Sequence, residues 1–253
     1  IVKRYQKLFC GVLCAVLCLG SSQVGILETQ AAQALREPAG TVDVAALKAA
    51  QDTNQLILVI GNNTSKVMVS YYRKEQAADK KGPGEPGTAS WQQVFTTSGV
   101  YGKNGAALEK REGDGKTPLG TYQFTMSFGL KEDPGSILPY HRIASGDYWV
   151  DDAKSAYYNQ LVNTAQTKKA WTSAEDMTAS SPYYNYALAL NYNADCVPDA
   201  GSAIFLHCTK STEDTGSQGC IRIPEKQMKQ LVQSVDASTK IVIVSDIGQL
   251  EYR

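Results

Sequence analysis

The 253-residue sequence carries 25 basic and 25 acidic side chains, a formal net charge of zero, which excludes a protein built to coat nucleic acid. Apolar residues at 43% and charged residues at 20% exclude a disordered chain. About 200 residues beyond the leader suffice for one sizeable core, or two small domains at most. The 14 Tyr, 21 Gly and 9 Pro, spread through short segments, favour a strand-rich fold over a helix bundle.

Residues 1–34 read as an export signal peptide or an N-terminal anchor. Lys3, Arg4 and Lys7 precede an uncharged apolar run from Leu8 to Leu19, and Ala32-Gln33-Ala34 supplies a small-x-small cleavage pattern. If uncleaved and running on to Leu27, the segment would tether the protein to a membrane; either way the chain is expected to be exported. Cys10, Cys14 and Cys18 lie in this leader, leaving Cys196, Cys208 and Cys220. An odd number of cysteines in an exported protein implies a free thiol. Without residues 1–34 the chain holds 22 basic and 24 acidic residues, too balanced to steer toward polyanions.

Residues 35–54 read as a linker or short helical arm. Strand patterns begin at Gln55. The segments 56–61 and 66–73 flank Asn62-Asn63-Thr64-Ser65, a hairpin signal. Further strands are expected near 91–100, 120–129, 140–152, 186–193, 201–208, 219–223 and 240–246. One helix is well marked: Pro224 and Glu225 open it, and Met228, Leu231, Val232 and Val235 recur at helical spacing. Residues 151–185 are polar and Tyr-rich, a long excursion with a short helix. The expectation is one mainly β domain over 55–253, with one or two helices.

Two motif matches fail on physical grounds. Gly82-Pro83-Gly84-Glu85-Pro86-Gly87 fits a dinucleotide fingerprint literally, but its prolines offer no N–H to a pyrophosphate and no helix follows. Gly115-Lys116-Thr117 ends like a phosphate loop, yet Lys110 replaces the first glycine and Pro118 stands where the helix would begin. A zinc set of Cys196, His207, Cys208 and Cys220 is disfavoured because strand neighbours face opposite ways and no C-x-x-C pair seeds the site.

The chemistry-bearing pair is His207, one of two histidines, and Cys220 in Ser217-Gln218-Gly219-Cys220-Ile221-Arg222. A thiol titrates at about 8.5, so an imidazole that takes its proton makes it a nucleophile and later protonates a leaving amine. Gly219 permits a tight turn that would aim backbone N–H groups at an oxyanion. The residue types alone leave a second reading open, in which Cys208 and Cys220 are disulfide-bonded and His207 merely ends a strand.

Four blocks in order resemble the YkuD-like L,D-transpeptidases, cysteine enzymes of bacterial peptidoglycan. They are Arg111-Glu112-Gly113-Asp114-Gly115-Lys116-Thr117-Pro118-Leu119-Gly120, Tyr148-Trp149-Val150-Asp151-Asp152, Gly201-Ser202-Ala203-Ile204-Phe205-Leu206-His207, and the 217–222 segment. The resemblance implies a YkuD-like β-sandwich or barrel, with Cys220 as acyl-carrying nucleophile, His207 as base and the Cys208 carbonyl orienting the ring. It implies an oxyanion hole around Gly219 and Cys220, peptidoglycan stem peptides as partners, no cofactor or metal, and a place in the cell envelope. Gln218 stands where the family often has a second His, and Cys208 where Gly is usual. Ser217, Gln218 and Arg222 are candidate substrate contacts; Arg222 shares the Cys220 face and would hold a carboxylate or brace the loop. Asp151 and Asp152 are expected to cap the excursion and His141 to lie on the surface; a Cys196–Cys208 disulfide is left open, and a Cys208–Cys220 bridge would switch the enzyme off. The implied products are 3→3 cross-links, with L,D-carboxypeptidase activity or non-catalytic wall binding as alternatives.

Overall fold

The computed structural model describes residues 42–75 and 90–253. The leader with its three cysteines and the 82–87 loop lie outside the described residues. In chain order the strands are β1 (Gln55–Gly61), β2 (Lys66–Glu75), β3 (Ser90–Val100), β4 (Ala106–Ala107), β5 (Thr117–Pro118), β6 (Gly120–Gly129) and β7 (Tyr140–Arg142). They continue as β8 (Asp147–Val150), β9 (Leu161–Asn163), β10 (Ala174–Asp176), β11 (Ala187–Leu190), β12 (Phe205–Cys208) and β13 (Ile221–Ile223). Helix α1 (Glu225–Val232) and β14 (Lys240–Val244) follow.

Nine strands form one sheet in the order β11-β12-β13-β3-β2-β1-β14-β6-β7, and a further β6–β11 pairing closes it on itself. The fold is therefore mainly β and barrel-like. The long β6 serves three partners: its first half pairs with β14, and its second with β11 on one side and β7 on the other. A three-stranded sheet, β10-β8-β9, pairs two strands of the 151–185 excursion with β8, which leads into it.

β1 shows why its sequence is apolar without alternation. Ile57 and Val59 enter the main core, whereas Leu56, Leu58 and Ile60 enter a second cluster on the outer face. That outer face is covered by residues 42–50, where Val44, Leu47 and Ala50 are buried. A strand buried on both faces has no polar side to display. The segment read as a linker or short helical arm thus packs down through its described residues in two 3₁₀ turns, Val44–Ala46 and Lys48–Ala50, and Leu47 bridges Tyr252.

α1 begins after Pro224 at its N-cap, with Glu225 in the first turn where the helix dipole favours an anion. Met228, Leu231 and Val232 are fully buried against the barrel. The expected 140–152 strand is broken in two at Gly146, whose φ of +89° needs a residue without a Cβ. The strands expected at 201–208 and 219–223 begin later, at Phe205 and Ile221. The residues trimmed from each form the site.

Candidate active site

β12 and β13 run parallel, pairing His207 with Arg222 and Cys208 with Ile223. Alternation along β12 sends Leu206 and Cys208 into the main core, and Phe205 into a third, aromatic cluster on the other face. His207 follows Phe205, its ring edge-on to Tyr183 and Tyr184 at centroid distances of 5.9 and 5.0 Å. On β13, Ile221 and Ile223 fill the core and leave Arg222 on the opposite face. Cys220, one residue before β13, packs against the aromatic cluster. A cavity of about 420 Å³ is lined by His207, Cys220, Gly219, Gln218, Ser217 and Arg222. Of the site residues expected from sequence, only Cys208 lies outside it, and it takes part through its backbone.

The His207 ring donates Nδ1–H to the Cys208 carbonyl at 2.9 Å, which leaves Nε2 as the basic nitrogen. The Cys220 thiol donates to the Ala203 carbonyl at 3.1 Å. Ala203 has φ +53°, a strained value for a residue with a Cβ. Its N–H donates to Asn159 Oδ1 at 3.0 Å, and Trp149 Nε1 donates to the same oxygen at 3.1 Å. Strain beside the thiol is thus held by Asn159 from the excursion, itself braced by Trp149 of β8. Trp149 itself packs tilted against Phe128 and edge-on against Phe205 in the core.

The 217–220 turn is tied from within. Gly219 N–H donates to Ser217 Oγ at 2.9 Å, and Ser217 Oγ donates to the Cys220 carbonyl at 2.5 Å. Gly219 has φ +153°, and a Cβ there would sit 3.0 Å from the Lys116 carbonyl. Arg222 Nη1 donates to both carboxylate oxygens of Asp214 at 3.1 Å and to the Gly216 carbonyl at 3.3 Å, with the guanidinium 4.3 Å above the Tyr183 ring. Its Nε is buried without a hydrogen-bond partner. Gln218 is exposed at the rim.

The cavity also gathers residues that sequence reasoning missed. Lys110 lines it but is paired with Asp114 at 2.8 Å. Glu112 accepts from Tyr158 at 2.5 Å and Ser202 at 2.8 Å. Glu175 and Asp151 line the same wall, and Asp151 Oδ1 is buried without a partner, whereas Asp152 caps its turn by accepting from Lys154 and Thr172. Asp152 follows the capping expectation and Asp151 does not. His141 is partly exposed and pairs with buried Asp147 at 2.8 Å.

Burial pushes the Cys220 thiol up to about 12, helped by the nearby Glu175 carboxylate and opposed by the Phe205 N–H, Arg222 and Lys110. Burial, with the Arg222 guanidinium, takes His207 down to about 3 against the backbone groups of Cys208 and Tyr183. Both groups are therefore neutral at pH 7. Burial also raises Glu175. Cys196, Cys208 and Cys220 are all free. Cys208 sits in the core with its thiol 3.5 Å from the Tyr186 carbonyl, so neither the Cys196–Cys208 pairing that the sequence left open nor a Cys208–Cys220 bridge is formed. Among the described residues no group of three His, Cys, Asp or Glu side chains is placed to hold a metal ion.

No curated protein matches the chain. Among solved structures it is similar to an L,D-transpeptidase (Yku) from Stackebrandtia nassauensis, at 14% identity and a TM-score of 0.34, over 80% of this chain and 60% of that one. It is also similar to a mutant of an Enterococcus faecium L,D-transpeptidase, at 14% identity and a TM-score of 0.32, over 77% of this chain and 50% of that one. The family model of the YkuD L,D-transpeptidase catalytic domain matches residues 57–243. That span runs from β1 to β14 and contains every residue of the cavity, and by this match the chain belongs to the YkuD L,D-transpeptidase catalytic-domain family.

Proposed function

We propose that the chain is an exported L,D-transpeptidase that forms 3→3 cross-links in peptidoglycan through a thioester on Cys220. The observation that carries the reading is the cavity shared by Cys220 and His207, whose ring is held by the Cys208 carbonyl with Nε2 left basic. Cys220 Sγ attacks the carbonyl that joins the L-centre of a third-position diamino acid to the terminal D-alanine. Because thiol and imidazole are both neutral at rest, the proton moves to His207 Nε2 during attack rather than before it. The resulting imidazolium protonates the departing D-alanine amine, and a side-chain amine of a second stem peptide then resolves the thioester.

The oxyanion falls to the Cys220 N–H, because the Gly219 N–H is already spent on Ser217. Ser217 serves the turn, Arg222 braces the 214–216 loop through Asp214, and Gln218 meets substrate at the rim. Such a substrate places the protein at the cell envelope, with the N-terminal segment as signal or tether. Among the described residues no helix is long and apolar enough to cross a membrane.

The test is intact-protein and product mass after incubation with a disaccharide-tetrapeptide under reducing conditions, for the protein and for Cys220→Ala. A thioester adduct with D-alanine release, absent in the variant, is expected. Cross-linked dimer marks the transpeptidase, and tripeptide alone marks an L,D-carboxypeptidase. Intact substrate with no adduct overturns the enzyme and leaves a wall-binding module.

A further inference from the structure

The 110–120 segment lies beside the catalytic turn yet supplies no reacting group. Asp114 organises it, accepting from Arg111 N–H, Lys116 N–H and Lys110 Nζ, each at 2.8 Å. Gly115 at φ +67° completes the turn. The construction delivers one hydroxyl to the interior. Thr117 is fully buried, its N–H donates to the Gly105 carbonyl at 3.0 Å, and its Oγ1 accepts from Gly102 N–H at 2.8 Å. The same Oγ1 donates to the Gly219 carbonyl at 2.7 Å.

That last bond fixes the peptide unit between Gly219 and Cys220. The unit is trans, since the single cis bond among the described residues is Ser181–Pro182. In a trans peptide the carbonyl and the N–H point in opposite directions. With the Gly219 carbonyl drawn to buried Thr117, the Cys220 N–H is turned to the other side, where Gly219 and Cys220 line the cavity. Among the described residues nothing accepts that N–H. A hydrogen bond to the carbonyl also polarises the amide and strengthens its N–H as a donor.

We propose that Thr117 is a positioning residue for acyl transfer, pinning the Gly219 carbonyl so that the Cys220 N–H is aimed at the oxyanion. The inference rests on the reading of Cys220 as an acyl carrier and is tested without a stem peptide. p-Nitrophenyl acetate transfers its acetyl group to the Cys220 sulfur with loss of p-nitrophenolate, through an oxyanion. Iodoacetamide alkylates the same sulfur by displacing iodide at a saturated carbon, with no oxyanion. Both are read at Cys220 by peptide mass in Thr117→Val and Thr117→Ser.

Thr117→Val is expected to slow acetylation about 100-fold and leave alkylation unchanged, with Thr117→Ser restoring acetylation. Equal acetylation in Thr117→Val overturns the proposal. So does a parallel fall of both reactions, or a folded Thr117→Ser that fails to rescue. Should Thr117→Val not fold, Thr117→Ala against Thr117→Ser makes the same comparison. Wild-type protein that is alkylated but accepts no acetyl group sinks the acyl-carrier reading itself, and the Thr117 proposal with it.

Discussion

With the Cys220 thiol at about 12 and His207 at about 3, the cavity is lined by a neutral thiol and a neutral imidazole over the whole physiological range. A preformed thiolate–imidazolium pair would show constant thiol reactivity above a low pKa. A thiol whose pKa is raised by burial behaves oppositely, because each unit of pH below that value costs tenfold in thiolate. Alkylation of Cys220 by iodoacetamide is therefore expected to climb with pH from 7 to about 10 without levelling, where a free cysteine of pKa about 8.5 would already plateau. The Glu175 carboxylate is the second cause of the raised value, and it acts through its negative charge. Glu175→Gln removes that charge at nearly constant volume, which favours the thiolate. At pH 8 the variant is expected to alkylate about threefold faster than the parent protein or more, and an unchanged or slower rate contradicts the assignment.

At the level of elements, the site is a product of where strands stop. β12 and β13 place His207 and Arg222 side by side, but the cavity is made by the irregular residues just before each strand, Ala203 and the 217–220 turn. This explains what the sequence disclosed. Runs such as 56–61, 66–73 and 240–246 are legible because paired strands need apolar, β-branched residues, and the helix after Pro224 because one face must be buried. His207, Cys220 and the turn stood out as an imidazole, a thiol and a glycine, but the residue types left a disulfide reading open, and it was the resemblance of the four blocks that weighted them as a pair, which the fold then places on one cavity. Glu175, Tyr183 and Tyr184 were not, since residues of an irregular excursion carry no period and meet the cavity only through tertiary packing. The 42–50 stretch, read as part of a linker or short helical arm, forms two short 3₁₀ turns, Val44–Ala46 and Lys48–Ala50, and its apolar residues meet β1 only through tertiary packing. Leu47 is 1% exposed and joins the outer-face cluster, so Leu47→Ala is expected to cost about 3 kcal/mol in urea unfolding while Cys220 alkylation stays unchanged. A loss under 1 kcal/mol, about the value for a surface change, would mean the arm does not seal β1.

Across the whole described molecule, the last strand is not at an edge. β14 lies between β1, to which it is parallel, and the first half of β6, to which it is antiparallel. The barrel therefore cannot close until residues 240–244 are in place, although they are separated from β1 by most of the catalytic domain. Such pairing of distant segments makes the fold depend on its C-terminal strand as a whole. Four of its five residues, Ile241 to Val244, are buried, two in the main core and two beneath the arm, so β14 ties together the clusters on both faces of β1. Ending the chain at Thr239 would expose the long edges of β1 and β6, rows of unpaired backbone groups prone to pair with other chains. The truncated protein is expected to lose its cooperative urea transition and to aggregate, even though every residue lining the cavity is still present. A truncated chain that unfolds cooperatively and is still alkylated at Cys220 with the parent's pH profile would show that the site is built by β12 and β13 alone. The β1–β14–β6 seam argues for the opposite result, because β13 reaches β6 on that side only through β3, β2, β1 and β14.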